Sequence, residues 1–306
     1  MIKVFGHKSP DTDSTGSPII WSWFLNEVRG KKSKAVLQGE PNNEAKFVLD
    51  YWGLNMPEII DDVSDNDEVV IVDTNNVSEL PANIGSANII ELIDHHLLQG
   101  GLSTSTPIDI TIRPLACTAT IMLDLMGKEI IARMPRSIKG VVLSCILSDT
   151  LEFRSPTTTD HDRKIAEDLA RDLDINIPSY SAEMFAAKSD VSKFSDNQLI
   201  MIDSKRYDLG GKKLRISVME TTTPSQVLDR TVSLLESLNE GVEREEIDVI
   251  LMFVVDILNG KSTLLIPNEM VRTIAEKSFG VQGQGNTLEL PGIVSRKKQI
   301  IPSLKL

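Results

Sequence analysis

The chain has 306 residues, 41% of them hydrophobic, which is roughly twice the 150-residue prior for one domain and enough to fill two cores. Its formal charge of −12 excludes a protein that grips nucleic acid over a broad face, because polyphosphate backbones demand a basic surface, yet it leaves room for a small anion at a metal site. The longest apolar run, "VILMFVV" at 249–255, is far short of the ~20 residues a membrane span needs.

The first ten residues hold no apolar signal segment, and Cys117 and Cys145 form no CxxC pair, so the expectation is a soluble, cytoplasmic protein without a disulfide framework. In chain order, residues 2–5 ("IKVF") read as a short buried strand and "GHKSPDTDS" as loop chemistry, with a helix predicted from "PIIWSWFLNEV". "DEVVIVDTNN" at 67–76 and "NIIELIDHH" at 88–96 are predicted strands that stop abruptly in polar residues. "CTATIMLDLMG" and "RSIKGVVLSCILSDT" read as packed helices, the second ending at Asp149, and "TTTDHDRKIAEDLARDL" as a capped helix whose His161 is exposed and structural.

Polar "AKSDVSKFSDN" carries no long apolar run and is taken as the joint, giving domains at 1–188 and 197–306 with a linker at 189–196. Beyond it the spacing predicts a β-hairpin around Gly210-Gly211, a helix from about Ser225 to Asn239, strands "DVILMFVVDI" and "KSTLLIP", and a helix "NEMVRTIAEKSF" before a tail containing "SRKKQ". Short apolar strands alternating with helical segments predict an α/β fold with a largely parallel sheet in the N-terminal domain.

Three predicted strands each end in potential metal ligands: His7 with Asp11 and Asp13, then Asp73, then Asp94, His95 and His96. In an open parallel sheet the carboxyl ends of strands share one edge, so these residues can converge on one crevice. Each motif has a plain reading, since D-x-D after a strand is often a helix cap and a strand-end Asp is usually turn chemistry. Their sum is more specific. His7, Asp11, Asp13, Asp73, His95 and Asp149 supply two imidazoles and four carboxylates, enough for two cations ~3.5–4 Å apart in a two-metal hydrolase. An oxygen-rich set without thiolate favours Mn²⁺, Co²⁺ or Mg²⁺ over structural Zn²⁺. The basic run at 295–299 and Lys205 read most simply as solvated charge, or as phosphate ligands if they meet such a site.

The series "GHKSPDTDS", "VDTNN", "IDHH", "CTAT", "LSDT" and "SRKKQ" resembles the family II, manganese-dependent inorganic pyrophosphatases of the DHH phosphoesterase superfamily, over nearly the whole chain. The resemblance implies a DHH domain followed by a smaller α/β DHHA2-type domain, a homodimer, and hydrolysis of pyrophosphate to two orthophosphates by hydroxide at a dinuclear centre. It implies His7, Asp11, Asp13, Asp73, His95 and Asp149 as ligands of two Mn²⁺ ions, Asp73 and Asp149 being able to bridge them. Pyrophosphate, arriving with Mg²⁺, is expected on His96, Lys205, Arg296 and Lys297, with His96 a candidate general acid and Asp11 and Lys205 also in the catalytic set. No nucleic acid or membrane partner is expected. Two departures stand out: Thr74 follows Asp73 where many members carry His, and Leu97 follows His96 where Arg is common. The rival reading is a DHH-type phosphodiesterase of short oligonucleotides or cyclic-dinucleotide products, which carries a histidine-bearing DHHA1-type second domain; no histidine follows His161 here.

Overall fold

The computed structural model describes residues 1–65, 67–99, 101–282 and 285–306, the side chains of Lys297 and Lys298 excepted. It divides into two compact units, Met1–Lys188 and Ser189–Leu306, each built on its own sheet.

In the first unit β1 (Ile2–Phe5), β2 (Ser33–Leu37), β3 (Glu58–Ile59), β4 (Glu68–Val72), β5 (Asn88–Asp94) and β6 (Asp109–Ile112) lie in the order β3-β2-β1-β4-β5-β6, parallel at every pairing. Val4, Phe5, the four residues Val69 to Val72 and Ile93 are fully buried, as strands covered on both faces require. The order reverses between β1 and β4, and that switch point opens a crevice at the carboxyl ends of the strands. Helices α1 (Thr12–Glu27), α2 (Asn43–Tyr51), α3 (Thr118–Met126), α4 (Lys128–Arg133), α5 (Arg136–Asp149), α6 (Asp160–Leu173) and α7 (Ile177–Lys188) complete the unit.

Helix α1 begins at Thr12, well before the predicted start near Pro18. Asp11 is the reason: its carboxylate accepts the Ser14 N–H at 3.0 Å and its carbonyl the Thr15 N–H at 3.0 Å, capping a helix through loop-like residues. Pro18 sits inside the helix and removes one backbone donor without ending it. Gly16 lets α1 press onto α5, since a Cβ there would lie 2.4 Å from Cys145 Sγ and 2.7 Å from Val141 Cγ1. That contact brings the start of α1 beside the end of α5.

The second unit runs α8 (Asp196–Met201), β7 (Ser204–Leu209), β8 (Lys212–Thr221), α9 (Ser225–Leu228), α10 (Thr231–Glu245), β9 (Val249–Asp256), β10 (Lys261–Leu265), α11 (Glu269–Phe279), β11 (Thr287–Pro291) and α12 (Ile301–Ser303). Its sheet has the order β11-β10-β9-β8-β7, antiparallel except between β8 and β9. Every residue of β9 is buried, and period-two alternation sends Val249, Leu251, Phe253 and Val255 to one core and Ile250, Met252 and Val254 to the other. The hairpin forms where predicted, with Gly210 and Gly211 at φ 58° and 73°. The single helix predicted over 225–239 is two, α9 and α10, separated at Asp229 and Arg230. Arg230 is committed elsewhere: it donates to the carbonyls of Val191 (3.1 Å) and Phe194 (2.8 Å) and to the Asp196 carboxylate (2.5 Å), fastening residues 191–196 to this unit.

Candidate metal centre

The carboxyl ends of the adjacent strands β1, β4 and β5 carry His7, Asp73 and Asp94-His95-His96, and the facing ends of α1 and α5 carry Asp11, Asp13 and Asp149. The structure therefore gathers all six sequence-predicted metal ligands, with His96, in the first unit. Their ligand atoms fall into overlapping groups within 4.8 Å: His7, Asp11 and Asp73; Asp13, His95 and Asp149; and Asp73, His95 and His96.

Asp73 stands between the first two groups. Its Oδ2 lies 3.5 Å from His7 Nε2 and its Oδ1 3.4 Å from His95 Nε2, so each oxygen of one carboxylate faces a different imidazole. His7 Nε2 is also 3.8 Å from Asp11 Oδ2, and His95 Nε2 is 3.9 Å from Asp149 Oδ2. These separations exceed hydrogen-bond reach. Both imidazoles are oriented from behind, by Nδ1 contacts of His7 with the Lys8 carbonyl (2.8 Å) and of His95 with the Leu115 carbonyl (3.2 Å), which leave each Nε2 turned to the cluster.

The carboxylates are held just as closely. Asp11 spends one oxygen on the α1 cap and turns the other to His7. Asp13 accepts from Ser17 Oγ (2.7 Å) and from Thr118 N (2.7 Å), and the Thr118 hydroxyl donates to Asp73 at 3.0 Å. Thr118 opens α3, so two helix N-termini, of α1 and α3, point positive ends at the acids. Buried Asp162 anchors that corner by accepting from Ala116 N and Thr120 Oγ1. Asp73 adopts a left-handed backbone, φ 59°, a conformation that Asp tolerates better than most residues.

Burial, and then the charges of Asp13 and Asp11, push the Asp73 and Asp149 carboxyls well above their ordinary range. His7 is raised to about 9: burial opposes its charge, but the nearby Asp11 carboxylate, the Lys8 carbonyl and Glu79 outweigh it. Asp149 Oδ2 is buried without a hydrogen-bond partner among the described residues. A site of mutually repelling, desolvated carboxylates with a bare oxygen and two imidazole Nε2 atoms aimed inward fits divalent cations, which displace protons, neutralise charge and complete the coordination.

His96, in the third of those groups, is also held by Asp94. Its Nδ1 lies 2.9 Å from Asp94 Oδ1, its side chain is half exposed, and its pKa is raised, chiefly by that hydrogen bond. Asp94 is fully buried and accepts from the backbone N–H groups of His95 and His96 and from Asn75 Nδ2; the hydrogen bonds outweigh burial and hold its carboxyl low. Asn75 further holds the segment after β5, donating to the Leu97 carbonyl (3.1 Å) and accepting from Gln99 N (2.6 Å). Thr74 donates instead to Glu79 Oε2 at 2.8 Å, and Leu97 is 84% exposed, so neither departure removes a group from the cluster.

In the second unit Lys205 is exposed on β7, and Arg296 opens the π-helical turn Arg296–Ile300. Asp203, two residues before Lys205, accepts from Arg296 twice, carbonyl from Nη1 and carboxylate from Nη2, each at 2.8 Å, while Arg296 Nε is buried without a partner among the described residues. The predicted contribution of the Lys297 side chain lies outside the described residues. Asp94, read from sequence as a potential metal ligand, lies outside the three groups above and instead holds His96; Asn75 and Thr118, within "VDTNN" and "CTAT", and Asp203 were not assigned roles from sequence.

Family models match both units, the DHH family N-terminal domain over residues 1–148 and the DHHA2 domain over residues 182–306. A Bacillus cereus protein named "Probable manganese-dependent inorganic pyrophosphatase" is 36% identical over 304 residues, 99% of this chain and 97% of its own. A Lactobacillus gasseri protein of the same name is 32% identical over 303 residues, covering 98% and 96%. The crystal structure of a Methanococcus jannaschii protein assigned to the family II inorganic pyrophosphatases is 34% identical and matches with a TM-score of 0.63 over 99% of this chain and 98% of that one. An exopolyphosphatase-related protein from Bacteroides fragilis, 14% identical with a TM-score of 0.52, shares the fold.

Proposed function

Because the chain belongs to the manganese-dependent inorganic pyrophosphatases built from DHH and DHHA2 domains, we propose the following division of labour among its residues. The reaction is hydrolysis of inorganic pyrophosphate to two orthophosphates. The DHHA2 match over 182–306 disfavours the phosphodiesterase alternative, whose second domain is of another type.

His7, Asp11 and Asp73 would hold one Mn²⁺, and Asp13, His95 and Asp149 the other, with Asp73 shared between them. The observation that carries this is the pair of Asp73 oxygens, one toward His7 and one toward His95. When bound, the two cations supply a water acidic enough to attack phosphorus near neutral pH, and positive charge for the phosphoryl oxygens. Asp11, capping α1 with one oxygen, keeps the other turned toward His7, where it would hold a cation and belong to the catalytic set. His96 donates the proton that the leaving phosphate requires: Asp94 holds Nδ1, favours the charged ring and leaves Nε2 as the donor. Lys205, Arg296 and Lys297 bind pyrophosphate oxygens, for which an Arg fork suits two oxygens and a Lys ammonium one. Pyrophosphate would enter with Mg²⁺, and Co²⁺ or Mg²⁺ would replace Mn²⁺ in the protein sites.

The protein would act as a cytoplasmic homodimer, without nucleic acid or membrane partners. Support for the dimer comes from β6, whose outer edge pairs with no other strand among the described residues and carries Ile110 at 58% exposure. Cys117 and Cys145 are free and buried, which suits a reducing compartment, and no helix of the described residues is long and apolar enough to cross a membrane.

Phosphate release from pyrophosphate, measured after chelation and re-addition of Mn²⁺ or Mg²⁺ beside a short oligonucleotide and a cyclic-dinucleotide product, tests the reading. Release from pyrophosphate alone, restored by Mn²⁺, is expected; cleavage of the nucleotides with pyrophosphate untouched overturns it.

A further inference from the structure

Behind the metal cluster lies a carboxylate that belongs to none of its groups. Glu44, in the first turn of α2, is 0% exposed. Its Oε1 accepts from the hydroxyl of Thr12 at 2.5 Å and from the hydroxyl of Ser148. Those donors are 136 residues apart in the chain, yet each adjoins ligands: Thr12 stands between Asp11 and Asp13, and Ser148 precedes Asp149. One oxygen thus ties the start of α1 to the end of α5.

Its second oxygen, Oε2, is buried without a hydrogen-bond partner among the described residues and has the Lys188 ammonium 3.7 Å away. Structural acids are satisfied more fully. Asp162, also fully buried, accepts from Ala116 N, Thr120 Oγ1, Thr159 N and Thr159 Oγ1. A carboxylate kept out of water with two hydroxyl donors costs stability that an apolar residue of similar size would not. Packing alone therefore gives no reason for an acid here, whereas reach does: one oxygen draws both hydroxyls together while the other faces the lysine ammonium.

We propose that Glu44 is a positioning residue of the dinuclear centre, gathering Thr12 and Ser148 so that Asp11, Asp13 and Asp149 meet around the same pair of cations. The inference rests on the assignment of those aspartates as Mn²⁺ ligands. Glu44 touches neither cation nor substrate and acts only through the two hydroxyls.

The test uses the full chain, stripped with chelator and titrated with Mn²⁺, followed by calorimetry and by electron paramagnetic resonance of the exchange-coupled ion pair. Glu44→Gln keeps the size, weakens both hydroxyl contacts and turns an amide donor toward Lys188. It is expected to lower Mn²⁺ affinity roughly 10–100-fold, the range for outer partners of metal ligands, and to weaken the coupled signal. Excess Mn²⁺ should restore kcat, with KM for pyrophosphate unchanged throughout. Thr12→Val and Ser148→Ala, which leave the buried charge in place and guard against misfolding of the Glu44 variant, should each give part of the loss. Neither should add its full effect to Glu44→Gln. Wild-type affinity and an unchanged coupled signal in Glu44→Gln overturn the inference, as does full additivity with the hydroxyl variants. Failure of the wild-type chain to bind Mn²⁺ overturns the ligand assignment beneath it.

Discussion

Asp149 ends α5, at the negative pole of that helix, and shares a buried site with Asp11, Asp13 and Asp73. Its Oδ2 has no hydrogen-bond donor among the described residues, and burial and neighbouring charge push its carboxyl well above the ordinary range. A carboxyl whose pKa is raised on folding favours the fold only while protonated, and that contribution is lost as pH rises through the folded value. In metal-free protein near pH 8 the residue therefore works against stability. Asp149→Asn removes the charge and keeps the shape, so it is expected to raise the melting temperature in chelator by a few degrees, about 1–2 kcal/mol, while abolishing cooperative binding of two Mn²⁺ ions. Thermal melts with chelator and with Mn²⁺ check both halves; a variant less stable than wild type in chelator would contradict the electrostatic account.

At the level of elements, the turn after α5 fixes where Asp149 points. Leu151, Glu152 and Phe153 have φ of 48°, 53° and 68°, three successive non-glycine residues in the left-handed region, each costing ~1–2 kcal/mol. Bonds from Glu152 N to the Leu147 carbonyl (2.9 Å) and from Ser155 N to the Thr150 carbonyl (2.8 Å) hold the turn, with Arg163 stacked 4.4 Å over Phe153. Glu152→Asn should be tolerated, whereas Glu152→Val, β-branched at φ 53°, should lose about 1–2 kcal/mol and weaken Mn²⁺ binding with it. Denaturant melts and Mn²⁺ titration of the two variants decide it, equal behaviour counting against a conformational role. Sequence showed little of this turn, because "LEF" carries no glycine or asparagine to mark it. What was legible followed from contrast: β1, β4 and β5 are apolar runs cut short by ligands, so both the strands and the shared edge could be read. Half-buried β2 and the edge strand β6 lack that contrast and went unread. The start of α1 was hidden because its capping and ligand residues look like loop, and the acid in "NNEAKF" looks like any solvent-facing helix residue until Thr12 and Ser148 are seen on it.

For the whole molecule, a formal charge of −12 conceals where protons reside. His7 is raised to about 9 by Asp11, Lys8 and Glu79 against the opposing effect of burial, His96 is raised by Asp94, and Asp73 and Asp149 are raised by burial and mutual repulsion. The metal-free centre therefore stores protons near neutrality that bound cations must displace. For His7 the stabilisation is complete below its unfolded pKa of ~6.5 and disappears as pH climbs through about 9, a contribution of about 3 kcal/mol. His96 and the two raised acids change in the same direction, each losing its contribution as pH rises through its folded value. The lowered acids Asp11 and Asp94 act oppositely, but only at acid pH, where protonation removes their support. Between pH 6.5 and 9 the melting temperature of chelated protein is accordingly expected to fall, while that of Mn²⁺-loaded protein holds, because the metal has already taken the place of the protons. The gap between the two should widen with pH, and Mn²⁺ affinity should rise by up to about tenfold per unit for each proton displaced. Calorimetry in buffers of different ionisation enthalpy counts those protons directly. A gap that narrows toward pH 9, or binding without proton release at pH 7, would show that the cluster is already deprotonated and that cations enter a preformed anionic site.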